Sequence, residues 1–153
     1  MAKHGQASGS PRPSVTAEAA ARTEGRPVFA PISVGELFDK ITILEIKAAR
    51  IIDSAKRVNV LSELRLLTEV SDRAVVPSLM LDDLTAELKR VNESLWAIED
   101  DIRDCERQGE FGAQFIALAR AVYRTNDRRA QLKRQINEVS GSPIVEEKFY
   151  KDY

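Results

Sequence analysis

A small group of polar side chains interrupts two apolar helical patterns in this chain, and a ligand site would be sought there. Thr125, Asn126 and Arg129 break the apolar pattern of one predicted helix, and Asn92 falls within that of the helix before it. Amide, hydroxyl and guanidinium groups supply the donors and acceptors that an anionic or sugar-nucleotide ligand requires. Buried Asn also fixes register in coiled coils, so the layer is either a binding site or a register device.

Glu45 is expected to join this polar layer from an earlier helix. It lies between the apolar positions Ile41 and Ala48. An unpaired buried carboxylate is costly, so Glu45 needs a partner such as Arg129 or one of the two asparagines. The candidate ligand-binding residues are therefore Glu45, Asn92, Thr125, Asn126 and Arg129.

Most other catalytic chemistry is excluded by composition. His4 is the only histidine and lies in a Gly-, Ser- and Pro-rich leader, which excludes histidine bases, Ser-His-Asp triads and histidine metal sites from the predicted fold. Cys105 is the only cysteine and lies on an apolar helical pattern, which indicates a buried hydrophobic position rather than a nucleophile. Neither a cofactor nor a metal is predicted.

Two acidic residues one helical turn apart leave one enzymatic alternative. Glu36 and Asp39 have the spacing that holds Mg²⁺ in some all-α nucleotide pyrophosphatases. Glu36 is already explained by a capping box with Ser33. A metal-dependent nucleotide hydrolase is therefore the second alternative, after the ligand-binding protein.

Charge gives no support to a nucleic-acid or membrane partner. Arg120, Arg124 and Arg128 form a row at four-residue spacing, but the facing helix offers acids such as Glu93, so pairing between helices explains the row. The net charge is −1, and no apolar run approaches the roughly 20 residues of a membrane span. Nucleic acid is an unlikely partner, and a cytoplasmic location is predicted.

Apolar periodicity predicts an all-α antiparallel bundle that contains a coiled-coil hairpin. The clearest pattern runs from Leu81 to Cys105, and a second runs from Phe111 to Val139 after Gly109. Pairing Leu81 with Ile136 aligns the apolar layers and brings the polar residues of both helices together. We predict three parts: a disordered leader at 1–30, a three-helix antiparallel bundle at 31–141, and a C-terminal tail at 142–153 that docks on the bundle or on a partner.

The first helix is expected to be long. Ser33 and Glu36 mark its start, and Pro77 lies in the loop that follows it. One helix from Val34 to about Ser71 would run about 57 Å. The alternative is a break near Asp53, with the chain folding back.

A first helix of this length would overhang its neighbours. Its protruding half would expose an apolar stripe, which normally finds a partner. We therefore predict a homodimer through that stripe, with another protein as the alternative partner. The interface residues would be Val34, Leu37, Phe38 and Ile41.

Four separated motifs resemble one protein family. They are the stretches 33–47 (SVGELFDKITILEIK), 95–103 (LWAIEDDIR), 124–130 (RTNDRRA) and 145–150 (VEEKFY). Together they resemble an uncharacterised family of small bacterial all-helical proteins over about residues 31–153. The resemblance implies a setting beside glycosyltransferases, tetratricopeptide repeats or surface polysaccharides, and it transfers no catalytic residue.

The sequence thus favours a non-enzymatic helical interaction or oligomerisation module. A binding protein for an anionic or sugar-nucleotide ligand is the first alternative.

Overall fold

The computed structural model describes residues 28–149, and this part of the chain contains helices and no strands. The predicted all-α fold is confirmed. Most of the leader predicted at 1–30, and the tail residues 150–153, lie outside the described residues. The described helices are α1 (Val34–Arg50), α2 (Ser54–Ala74), α3 (Leu79–Gln108) and α4 (Ala113–Ser140). None of them has both the length and the apolar character needed to cross a membrane.

The first helix ends at Arg50, so the single long helix expected from the sequence is wrong. Ile51 adopts an extended conformation, with φ −75° and ψ 120°. Asp53 is the N-cap of α2, and its Oδ1 accepts a hydrogen bond from the backbone N–H of Lys56 at 3.0 Å. An aspartate side chain that binds the backbone in this way competes with helix continuation. The helix is therefore interrupted without a glycine or a proline.

After this break the chain doubles back, so that α1 and α2 form a helical hairpin. Val75, just beyond α2, packs against the buried cluster that contains Leu81. Val34 and Phe38, from the start of α1, pack against the same cluster. α1 is the central helix, because it approaches the other three, whereas α2 approaches α1 alone among the described helices.

The core between α3 and α4 contains the residues that the sequence pattern placed there. Leu81 and Leu88 of α3 cluster with Leu132 and Ile136 of α4, and all four are buried. Leu81 and Ile136, which were expected to face each other, lie in this one cluster. Gly109 ends α3 with φ 69°, a left-handed conformation that glycine adopts without strain.

The apolar stripe proposed as a dimer interface is not exposed. Leu37 and Ile41 are buried within the chain. Val34 and Phe38 are partly buried and pack against the core. The expected exposure was wrong because it depended on an overhanging helix, and the return of α2 removes the overhang.

The start of α1 is docked on the end of α4 by side-chain acceptors. The first three N–H groups of a helix have no partner within the helix. Here each one is bound, by Ser142 Oγ for Val34 (3.3 Å), Asn137 Oδ1 for Gly35 (2.6 Å) and Ser33 Oγ for Glu36 (3.1 Å).

Gly35 allows the backbones of α1 and α4 to meet at this end. A Cβ at this position would collide with the carbonyl oxygen of Lys133. The absence of a side chain therefore sets how closely the two helices approach, and it aligns the face of α1 that carries the polar residues described next.

Candidate functional site

The centre of the polar layer is Asp39, on α1. Its side chain is buried, with the residue only 1% exposed. Two hydrogen bonds from Arg129 on α4 reach it, from Nε to Oδ1 at 2.8 Å and from Nη2 to Oδ2 at 2.5 Å. This bidentate geometry is the strongest arrangement available to a guanidinium and a carboxylate.

Asn92 brings α3 into the same layer. Its Nδ2 donates to Asp39 Oδ1 and to Thr42 Oγ1, both at 3.0 Å. The Thr42 hydroxyl in turn donates to the backbone carbonyl of Asp39 at 2.9 Å. Asn92 and Thr42 are both buried. One cluster of hydrogen bonds therefore ties α1, α3 and α4 together.

Asn126 lies at the edge of this cluster. Its Oδ1 accepts a long hydrogen bond of 3.4 Å from Arg129 Nη1, and its Nδ2 donates to the backbone carbonyl of Val122 at 3.1 Å. Thr125 is half-buried on the same helix, and it takes no part in the hydrogen bonds around Asp39. The structure thus brings together Asn92, Asn126 and Arg129, three of the five candidate ligand-binding residues.

Glu45 is not in the layer. Its carboxylate pairs with Lys89 of α3 at 2.8 Å, and both side chains are more than one-third exposed. Glu45 was expected to contact Arg129 or the asparagines, and Asp39 makes these contacts instead. The carboxylate was correctly expected on α1, but at the wrong position.

A second periodic pattern in the sequence would have identified Asp39. Gly35, Asp39, Thr42 and Ile46 recur at spacings of four, three and four residues, so they share one face of a helix. All four are buried. Because α1 is the central helix, it buries this face as well as the apolar stripe through Leu37, whereas the sequence interpretation considered one face only.

A second ionic cluster lies one turn further along α4, at Lys133. Its Nζ lies 2.7 Å from Glu36 Oε2 and 2.6 Å from Glu146 Oε2, and the side chain is 13% exposed. The N-cap half of the predicted capping box is present, since Ser33 Oγ accepts from the Glu36 N–H. The Glu36 carboxylate, which was expected to reach back to Ser33, binds Lys133 instead.

Both cations are stabilised in their charged forms. Burial alone would lower the pKa of Lys133, but its hydrogen bonds to Glu146 and Glu36 outweigh burial and raise that pKa above the ordinary value of 10.5. The hydrogen bonds to Asp39 raise the pKa of Arg129, against a smaller opposing effect of burial. Arg129 therefore stays charged at any pH at which the protein folds.

The layer forms a closed set of interactions. In residues 28–149, each buried side-chain nitrogen or oxygen atom has a hydrogen-bond partner. A ligand would therefore have to displace a hydrogen bond that already exists, at a cost of about 1–3 kcal/mol for each group left unsatisfied. Within that range no group of three or more His, Cys, Asp or Glu residues has the arrangement of a metal site.

The carboxylates of the hydrolase alternative each bind a cation of the protein: Glu36 binds Lys133, and Asp39 binds Arg129. One residue of the basic row on α4, Arg128, forms an ion pair with an acid of α3, Glu87.

The described fold and site define an all-α protein in which Asp39, Arg129 and Asn92 join three helices and a fourth helix packs on one of them. The chain belongs to a family of unknown function, DUF6165, which it matches over residues 29–153. The predicted resemblance to an uncharacterised family is thereby confirmed. No curated protein and no solved structure matches the chain.

Proposed function

We propose that this protein is a non-enzymatic helical module that associates with a second copy of itself through α2. The observation that carries the proposal is the burial of α2. This helix has 21 residues, and none of them is buried. Helices in globular proteins gain most of their stability from burying one face, so a helix of this length without a buried residue indicates a missing partner.

The exposed side chains of α2 include large apolar residues. Val58 is 65% exposed and Leu66 is 50% exposed, and Leu61 and Val70 are exposed to a similar degree. Further exposed apolar residues flank the helix, namely Ile52 before it and Val76, Leu79 and Met80 after it. Apolar surface concentrated in one region in this way is typical of a protein–protein interface.

The charges of α2 favour a second copy as the occupant. Lys56 and Arg57 lie near its start, and its first turn holds no acid; Glu69 and Asp72 lie near its end. Apart from the N-cap Asp53 and the base Arg73 in the last turn, this order opposes the helix dipole, which favours acids near the start and bases near the end. An antiparallel α2 from a second chain would place its acidic end beside this basic end. Such an interface is isologous, as in most homodimers.

The closed hydrogen bonding of the polar layer supports its interpretation as a register device. Asp39 accepts hydrogen bonds from both Asn92 and Arg129, and these contacts hold three helices in one alignment. The predictions of a cytoplasmic location and of a bacterial surface-polysaccharide setting stay predictions.

Light scattering on the full chain tests the proposal. We expect the wild-type mass to rise from that of a monomer to that of a dimer as the concentration increases through the micromolar range. Leu61→Glu combined with Leu66→Glu places charges on exposed positions of α2, and this variant should remain a monomer with unchanged helical content. Ile116→Glu is the matched control, because Ile116 is exposed to a similar extent on α4, and it should dimerise like wild type.

A wild-type chain that stays monomeric throughout the range would contradict the proposal. If the Ile116→Glu control loses association to the same extent, the association arises from nonspecific apolar contact. That result would also contradict the proposal.

A further inference from the structure

The C-terminal residues 144–149, here called the strap, fold back along α4. Gly141 ends α4 in a left-handed conformation, with φ 65°. Three ion pairs then join the strap to α4, two of them to neighbouring residues near its end and the third to a residue nearer its middle. They are Glu146 with Lys133 (2.6 Å), Glu147 with Arg134 (3.4 Å) and Lys148 with Asp127 (2.7 Å).

Most side chains of the strap are exposed to solvent. Val145 and Phe149 are exposed, and Ile144 is half-buried. The carboxylate side chains of Glu146 and Glu147 are 55% and 77% exposed. The Glu147–Arg134 pair is exposed on both sides, and such pairs typically contribute about 0–1 kcal/mol. Segments with few buried apolar contacts open locally at low cost. The largest loss on displacing the strap is the contact of Glu146 with Lys133, and Lys133 then keeps its pair with Glu36.

Two cations beside the strap have ion-pair partners outside the strap. Lys133 is held by Glu36 of α1 as well as by the strap, and Arg129 is held by Asp39. These cations would keep their positions if the strap left. A groove follows α4 beside the strap and continues to Val122. Outside the strap, its charged lining residues are the cations Arg129, Lys133 and Arg134 and the carboxylates Glu36, Asp127 and Glu138. Glu36 is paired with Lys133, so Arg134 is the cation of this set whose ion pair, within the described residues, is with the strap alone.

We propose that the strap is an internal ligand and that this groove binds an extended acidic peptide of another protein in its place. The strap itself shows the recognition, because its neighbouring carboxylates meet the neighbouring cations Lys133 and Arg134. A strap from a second copy is not the favoured occupant, because the tethered strap competes with it at an effective concentration of about millimolar. A longer acidic run would outcompete the strap by binding Nη1 of Arg129, where it displaces the long hydrogen bond of 3.4 Å to Asn126 and leaves the two bonds to Asp39 in place.

Fluorescence anisotropy with a labelled penta-glutamate peptide at low ionic strength tests this proposal. Glu146→Gln with Glu147→Gln removes the internal competitor. If the strap covers the groove most of the time, this variant should bind the peptide about tenfold more tightly than wild type. Glu106→Gln with Glu110→Gln makes the same charge change at the far end of the α3–α4 hairpin, and it should bind like wild type.

Two further measurements locate the site. Arg134→Gln should weaken binding of the peptide to the strap variant, and Lys133→Met, with circular dichroism confirming its fold, should abolish that binding. A penta-glutamine peptide should not bind. Equal affinity of the strap variant and the Glu106/Glu110 control would overturn the proposal, as would a strap variant that binds inorganic phosphate but no peptide. The oligomeric state is a separate readout, so the proposed association through α2 can fail or stand independently.

Discussion

The Asp39 carboxylate and the Arg129 guanidinium meet through two parallel hydrogen bonds, 2.8 and 2.5 Å long, although the two residues are 90 positions apart in the chain. The pair joins α1 to α4, and Asn92 adds α3. Asp39 is almost completely buried, and Arg129 is the cation that forms an ion pair with its carboxylate.

Removing the cation should therefore destabilise the fold strongly. We expect Arg129→Met to lower the free energy of unfolding by about 3–5 kcal/mol, since it leaves a buried carboxylate without its partner. Urea denaturation followed by circular dichroism measures the change. Replacing both partners, with Asp39→Leu and Arg129→Met, should recover most of the loss. If the free energy of unfolding of Arg129→Met lies within about 1 kcal/mol of the wild-type value, the pair contributes no more than an exposed ion pair does.

Gly35 should be sensitive to the smallest substitution. We expect Gly35→Ala to cost about 1–3 kcal/mol, because the added Cβ collides with the Lys133 carbonyl and the two backbones must separate. Thermal denaturation compares it with Gly112→Ala, where an added Cβ meets nothing within 4 Å. The control should change stability by about 1 kcal/mol or less. Equal effects at the two glycines would refute the close approach of the helices.

The N-cap of α2 should hold the break between the first two helices. Asp53→Ala removes the acceptor for the Lys56 N–H, and we expect it to cost about 0.5–2 kcal/mol. The loss should appear as faster amide exchange at the start of α2. Ser62→Ala, in the exposed middle of α2, should leave exchange there unchanged. If Asp53→Ala leaves exchange unaltered, the cap does not stabilise this end of the helix.

Lys133 should make stability depend on pH in the alkaline range. Its folded-state pKa is raised above the ordinary value of 10.5. Its contribution is therefore fully present below about pH 10.5 and is lost as the pH rises through the higher folded-state pKa. The free energy of unfolding of wild type should fall over that interval, and Lys133→Met should reduce the fall. Parallel curves for the two proteins would exclude a role for Lys133.

The α3–α4 hairpin was predictable because local and tertiary signals agree there. An apolar pattern on each side of Gly109 specifies one pairing, and Leu81 and Ile136 lie in one cluster as that pairing requires. The same pairing placed Asn92 and Arg129 in one polar layer, and both bind Asp39 of α1, which it did not predict. A regular pattern with one buried face per helix is sufficient for this part of the fold.

The error in α1 has a different physical origin. This helix is buried on two faces, so its polar face through Asp39 and Thr42 has its own periodicity beside the apolar one. A search for a single apolar stripe favoured Glu45, which lies beside that stripe and pairs with Lys89 instead. The break near Asp53 was predicted only as the alternative to one long helix, because a side-chain cap, rather than a glycine or a proline, interrupts the helix there.

Hydrogen exchange at two protein concentrations tests the proposed association most directly. If copies of the chain pair through α2, amides in residues 54–74 should exchange more slowly at the higher concentration. Amides at the start of α4, around Ile116, should exchange at the same rate in both samples. Identical exchange of α2 at the two concentrations, over a range where dimer should form, would contradict the account.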